Sequence, residues 1–110
     1  MAKESDYQAS LKTKILRMFP GAIVYKNGIG VPQGFPDLMI LYKNKWAALE
    51  VKKSEKDSRR PRPNQPIWVE RLNGMSFASF VYPENEKEVL DGLYRSFEGE
   101  PPSTCGVRGQ

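Results

Sequence analysis

Two acidic residues and a lysine lie at the ends of two apolar runs in the stretch GFPDLMILYKNKWAALEVKKS, residues 34–54. Asp37 opens the first run, and Glu50 and Lys52 close the second. Desolvating an unpaired charge at the end of a buried strand costs several kcal/mol, so charges at these places indicate chemistry. Structural interpretations also exist, because Asp37 could cap a turn after Pro36, and Glu50 with Lys52 could form a solvated ion pair on an edge strand.

The spacing predicts that the two carboxylates converge. Side chains alternate between the two faces of a strand, so Glu50 and Lys52 share one face. A hairpin through the turn at residues 43–45 places Asp37 opposite about residue 51, and therefore beside Glu50. Two neighbouring carboxylates repel unless a cation lies between them, and Mg²⁺ and Mn²⁺ take oxygen ligands. The pattern predicts a divalent metal site in which Lys52 orients a water or offsets charge during phosphodiester hydrolysis.

The surrounding sequence predicts the elements that hold these side chains. Apolar residues at helical spacing predict a helix over residues 4–19, which ends at Pro20-Gly21. Short apolar runs predict four strands, over residues 22–26, 37–42, 46–53 and 76–82. Turn-rich or polar segments are predicted at 27–36 and 54–63, and further helices at 64–74 and 83–97. This order predicts an α/β fold, a four-stranded mixed sheet flanked by helices, in one domain over residues 1–97 with a flexible tail over 98–110.

Composition limits the size of the domain, the catalytic chemistry and the cellular location that we expect. The chain has 110 residues, of which 39% are hydrophobic, and this suits one domain with a modest core. The absence of His excludes His-based acid–base catalysis and His-ligated zinc, and the lone Cys105 cannot form an internal disulfide. Because the sequence contains neither a long apolar run nor a cleavable leader, we expect a soluble, cytoplasmic protein without a membrane span.

Basic residues crowd the segment that follows Lys52. The formal net charge is +4, and this segment carries five further cations against Glu55 and Asp57. They are Lys53, Lys56, Arg59, Arg60 and Arg62. Charge runs are usually solvated surface, but this one leaves the strand that carries the candidate site, where a phosphate backbone would pass. We interpret it as a DNA-backbone contact that is electrostatic, independent of sequence and sensitive to salt.

Several ordered motifs resemble those of a nuclease family. Pro36-Asp37, twelve intervening residues and then Glu50-Val51-Lys52 resemble the PD-(D/E)xK nuclease motif, with Gly34 before it. Glu4 opens the first helix, YKNGIGVPQGFPDL resembles the family's Asn-then-Gly-Pro-Asp stretch, and NQPIWVERLNG resembles its Gln-then-Trp helix. Within this superfamily the chain looks most like the small virus-type VRR-NUC nucleases, which are related to archaeal Holliday-junction resolvases. The resemblance covers residues 4–82.

The resemblance implies a restriction-endonuclease-like α-β-β-β-α-β core and a role for each matching residue. Asp37 and Glu50 are implied as ligands of Mg²⁺ or Mn²⁺, with the Val51 carbonyl as a third oxygen and Lys52 as the catalytic lysine. Glu4 is implied to approach the metal from the first helix, although acidic residues are favoured in a first helical turn in any case. Gln65 is implied to hydrogen-bond the scissile phosphate or the metal-bound water.

The resemblance also implies an activity, a metal-dependent DNA endonuclease selective for Holliday junctions or other branched DNA. A nicking or restriction-like nuclease on plain duplex is one alternative, and a non-catalytic nucleic-acid-binding module is another. Because cutting two strands generally needs two sites, a symmetric homodimer is the economical arrangement. The compact length also fits a phage-encoded protein in a bacterial host.

Overall fold

A single mixed sheet organises the protein, for which a computed structural model describes residues 3–99. Its strands are β1 (Ile23–Lys26), β2 (Leu38–Tyr42), β3 (Lys45–Val51) and β4 (Phe77–Val81). They lie in the order β1-β2-β3-β4, and the first three are mutually antiparallel while β4 runs parallel to β3. The predicted α/β fold with a four-stranded mixed sheet is confirmed.

Helices cover the two faces of this sheet. The long helices α1 (Glu4–Met18) and α4 (Glu86–Glu98) pack on one face, and α3 (Gln65–Asn73) packs on the other. The crossover from β3 to β4 contains the short helix α2 (Glu55–Ser58) as well as α3, and a 3₁₀ turn (Pro83–Asn85) precedes α4. Two parallel strands cannot be joined by a tight turn, so a long crossover must connect β3 to β4. This crossover lies beside the candidate site.

Alternation along β3 assigns each side chain to one of two cores. Ala47, Leu49 and Val51 pack with α1 and α4, whose buried residues recur at helical spacing. Trp46 and Ala48 pack with the residues of α3. The predicted division of faces is confirmed, and it sends the side chains of Glu50 and Lys52 towards α3, where Gln65 contacts both.

The β2–β3 hairpin differs from the predicted register by one residue. Its turn consists of Lys43 and Asn44 alone, and Tyr42 pairs directly with Lys45. Lys43 adopts a positive φ of 56°, which lets the chain reverse within two residues. Since Leu38 pairs with Leu49, Asp37 lies opposite residue 50. The predicted register placed it opposite residue 51. The corrected register aligns the two carboxylates more directly.

Two further differences concern the ends of the elements. The segment 54–63 is not wholly a loop, because the Ser54 hydroxyl accepts a hydrogen bond from the Asp57 amide and starts α2. β3 ends at Val51, two residues before the predicted end. The tail was predicted over 98–110, but α4 continues to Glu98. The part of the predicted tail from residue 100 onward, with Cys105, lies outside the described residues. Within residues 3–99, no helix is long and apolar enough to cross a membrane.

Candidate active site

Glu50 lies near the end of β3 with only 2% of its surface exposed. Its Oε2 atom accepts a hydrogen bond from Gln65 Nε2 at 2.8 Å, whereas Oε1, which is also buried, has no partner among the described residues. Burial raises the pKa of this carboxyl to about 8, and repulsion from Asp37 adds to the shift while Lys52 opposes it. Burial and the neighbouring Asp37 carboxylate thus favour a proton or another cation at this point.

Asp37 is held against the end of β3 by hydrogen bonds on both sides. Its carbonyl oxygen accepts from the Asn27 amide at 2.7 Å, and the Asn27 side chain donates to the Pro36 carbonyl at 2.7 Å. Its carboxylate Oδ2 accepts from the Val51 amide at 3.1 Å. These bonds fix the carboxylate beside Glu50, so the predicted convergence of the two acidic residues is present.

Lys52 brings a buried ammonium group to the same point. It follows the last residue of β3, and its amide donates to the Val81 carbonyl of β4 at 2.9 Å. Its Nζ donates to Gln65 Oε1 at 3.0 Å and lies 3.8 Å from Glu50 Oε2. An ammonium group has three donors, so Lys52 keeps capacity for a further acceptor such as a phosphate oxygen or a water.

Gln65 connects the charged side chains. It is the first residue of α3 and is buried, and its Oε1 accepts from both Lys52 Nζ and the Arg62 amide, the latter at 2.8 Å. With Oε1 occupied by two donors, Nε2 must point to Glu50, which fixes the orientation of the side-chain amide. Gln65 thus holds the carboxyl and the ammonium groups together, and its predicted contact with a phosphate or water stays a prediction.

Glu4 lies at the edge of this group. It is half-buried at the start of α1, where burial and then repulsion from Asp37 raise its pKa, while Lys52 and Arg62 act in the opposite direction. Over residues 3–99, no three Asp, Glu, His or Cys side chains come close enough together to form a metal cluster by themselves. The close oxygen donors are those of Asp37, Glu50 and the main chain, and the role of Glu4 as a metal ligand stays a prediction.

The basic segment begins and ends at the site. All five predicted DNA-binding cations are exposed: Lys53, Lys56, Arg59, Arg60 and Arg62. Arg59 Nη2 lies 3.8 Å from Glu55 Oε1, a weak surface pair that leaves most of the positive charge available. The segment starts directly after Lys52 and ends at Arg62, whose amide donates to Gln65 Oε1. A phosphate backbone lying along it would therefore pass the carboxylates.

A contact between two loops was not predicted from the sequence. Gly34 has a φ of 87°, and a Cβ atom placed there would lie 2.8 Å from Asn64 Cβ and 2.9 Å from the Pro63 carbonyl oxygen. Asn64, immediately before Gln65, also has a left-handed φ, of 74°. This contact joins the loop that precedes Asp37 to the loop that precedes Gln65. In the sequence, only the Gly-Phe-Pro-Asp spacing pointed to a special role for Gly34.

Comparisons with known proteins add no relative. No family model matches the chain, and neither a curated protein nor a solved structure matches it. The resemblance to VRR-NUC nucleases therefore rests on the sequence motifs alone, and we infer a function from the geometry of Asp37, Glu50, Lys52 and Gln65.

Proposed function

We propose that this protein is a metal-dependent DNA endonuclease that hydrolyses phosphodiester bonds. The observation that carries the proposal is the buried Glu50 carboxyl, which lies beside a second carboxylate, Asp37, and an ammonium group, Lys52. Within residues 3–99 its Oε1 has no hydrogen-bond partner. Leaving a buried acceptor unsatisfied costs about 1–3 kcal/mol, and a cation at this point would remove that cost. Strongly perturbed, buried acidic groups of this kind are typical of functional sites.

The donor set fits a hard divalent cation such as Mg²⁺ or Mn²⁺. Asp37 and Glu50 offer carboxylate oxygens and Val51 offers its main-chain carbonyl, all of them hard ligands that such ions prefer. When bound, the ion would polarise a phosphoryl oxygen and lower the pKa of a bound water. Glu4 would add negative charge at the edge of the site and so favour a cation further.

Lys52 and Gln65 supply the remaining chemistry. Gln65 holds the Lys52 ammonium group beside Glu50, so its charge is already oriented before substrate binds. A positive charge held in a buried site offsets the negative charge that develops on a phosphoryl group in the transition state. Lys52 can at the same time donate a hydrogen bond to the attacking water or to a phosphate oxygen.

DNA is the substrate that best fits the charge of the protein. The net charge is +4, and the exposed cations of the segment 53–62 lie next to the acidic centre. Contacts of this type position a phosphate backbone without reading its sequence, which suits an enzyme that selects a DNA structure such as a junction or other branch. Cutting both strands of such a substrate would require two sites, which a homodimer would provide.

A cleavage assay tests this proposal. Labelled four-way junction, flap, nicked duplex, linear duplex and single-stranded DNA are incubated with the protein in Mg²⁺, Mn²⁺ or EDTA, beside a Glu50→Gln variant. We expect cleavage that needs the metal and falls by at least about 100-fold in the variant. If the wild-type protein binds DNA but cuts none of the five substrates with either metal, the chain is a binding module and not a nuclease.

A further inference from the structure

The loop over residues 27–36 presents an apolar tip to solvent. It carries no charged side chain, although Lys26 precedes it and Asp37 follows it. Ile29 is fully exposed, at 108% of its reference area, and Val31 is 40% exposed. Glycines flank Ile29 at positions 28 and 30, and a Cβ at either would meet none of the described atoms within 4 Å. The tip therefore stands away from the body of the protein.

The base of this loop is fixed at the acidic centre. The backbone and side chain of Asn27 hydrogen-bond Asp37 and Pro36, so the loop leaves and rejoins the fold beside the catalytic carboxylate. Phe35 packs edge-on against Trp68 of α3, with ring centroids 5.2 Å apart. The firmly held base keeps this loop beside the site where a phosphate would lie.

The basic segment borders this loop on the other side. Gly34 packs directly on Asn64 and Pro63, the last residues before α3, so the two loops adjoin. One offers cations for phosphates, and the other offers two exposed aliphatic side chains without charge. Apolar side chains contact DNA favourably where base faces are accessible, as at a kinked or unstacked step, because intact stacking hides those faces.

We propose that the loop 27–36 recognises an interruption of base stacking, with Ile29 and Val31 packed against the exposed face of a base next to a branch. The proposal rests on the nuclease function proposed above and gives that function its selectivity. The basic segment holds the flanking phosphates of any DNA, whereas the aliphatic tip gains its contact only where a base is unstacked. A branch point is thereby drawn to the place where Asp37 and Glu50 lie.

Two measurements on an Ile29→Ala variant test this role. The first is the ratio of kcat/KM on a branched DNA to kcat/KM on a paired duplex of equal length, which we expect to fall about tenfold. An effect of this order follows from the apolar contact that the truncation removes. The second is the fluorescence of 2-aminopurine placed beside the branch. Both proteins carry Lys52→Ala, and one also carries Ile29→Ala. We expect the fluorescence to rise less on binding of the protein that lacks Ile29.

Met75→Ala is the matched control. Met75 is an exposed apolar residue, at 65%, and lies before β4, whose first residue pairs with Ala47 at the end of β3 away from Glu50. We expect it to keep the wild-type ratio. A wild-type ratio in Ile29→Ala, or a change of oligomeric state in that variant by sedimentation, would overturn the role of the loop while cleavage itself stands. Absence of any cleavage by the wild type would instead overturn the nuclease function.

Discussion

Glu50 combines burial, a raised pKa and an oxygen that no group in the described part of the chain hydrogen-bonds. Burial raises the pKa of this carboxyl in the folded protein to about 8, from an ordinary value of 4.5. Between these values the folded state binds more protons than the unfolded state, so this group makes stability fall as pH rises through that window. The residue thus lowers the stability of the folded protein as pH rises, which is the cost expected of the cation site proposed above.

Replacing Glu50 by Gln should remove that pH dependence. In EDTA we expect the wild-type melting temperature to fall more between pH 5 and pH 8 than that of Glu50→Gln, and the variant to be the more stable protein at pH 8, by on the order of 5 °C. Thermal melts followed by circular dichroism measure both. Glu55→Gln, a change at an exposed carboxylate, is the control and should follow the wild type. Parallel pH curves for wild type and Glu50→Gln would contradict this account of the buried carboxyl.

Lys52 and Lys53 offer a matched pair of adjacent lysines. Lys52 is buried against Glu50 and Gln65, whereas Lys53 is exposed. We expect Lys52→Ala to retain DNA binding and to lose at least about 100-fold in cleavage rate, because it removes charge stabilisation in the transition state. Lys53→Ala should cleave within about threefold of the wild type, as for the loss of one surface phosphate contact. Single-turnover cleavage and fluorescence anisotropy separate the two effects, and equal cleavage by both variants would remove Lys52 from the chemistry.

At the scale of elements, the contact between Gly34 and Asn64 positions the two loops that meet at the site. In Gly34→Ala the new methyl group would collide with Asn64, and the positive φ would be strained, so we expect a loss of about 1–3 kcal/mol in unfolding free energy. Gly28→Ala is the control, because its site is open and its φ is outside the left-handed region. Urea unfolding measures both. A loss as large in Gly28→Ala would show that the effect does not come from this contact.

We expect the cations of the basic segment to bind DNA together, and the quantity that tests this is the salt dependence of DNA affinity. Replacing Arg59, Arg60 and Arg62 together by Ala should weaken DNA binding and reduce the slope of log K against log salt by about 3, somewhat less if Glu55 already neutralises Arg59. Affinity is measured by fluorescence anisotropy over a series of salt concentrations.

An equal loss of charge elsewhere provides the control for this triple variant. Arg17 and Arg95 lie in the last turns of α1 and α4, and Lys43 lies in the β2–β3 turn, away from the acidic centre. Their combined replacement by Ala should change the salt slope less than the arginine variant does. The same slope in both triple variants would mean that only net charge matters and that the segment is not the binding surface.

At the scale of the whole molecule, hydrophobic periodicity was sufficient to predict the order of the four strands and the three longer helices, but not the short helix α2. The alternation along β3 also predicted that Glu50 and Lys52 share a face. The register of the hairpin was not predictable in the same way, because the two-residue turn depends on a positive φ at Lys43, a residue type that gives no such signal. The hydrogen bonds of Gln65 could likewise not be predicted from the sequence, since they depend on where the crossover places α3.

Manganese binding tests whether Asp37 and Glu50 hold a divalent cation, and it requires no choice of substrate. The measurement is the electron paramagnetic resonance signal of free Mn²⁺ as the ion is titrated into wild-type protein, Glu50→Gln and the control Glu55→Gln at pH 8. We expect the signal of free Mn²⁺ to be lost saturably with the wild type and the control, and to change little with Glu50→Gln. Identical titration curves for wild type and Glu50→Gln would contradict it.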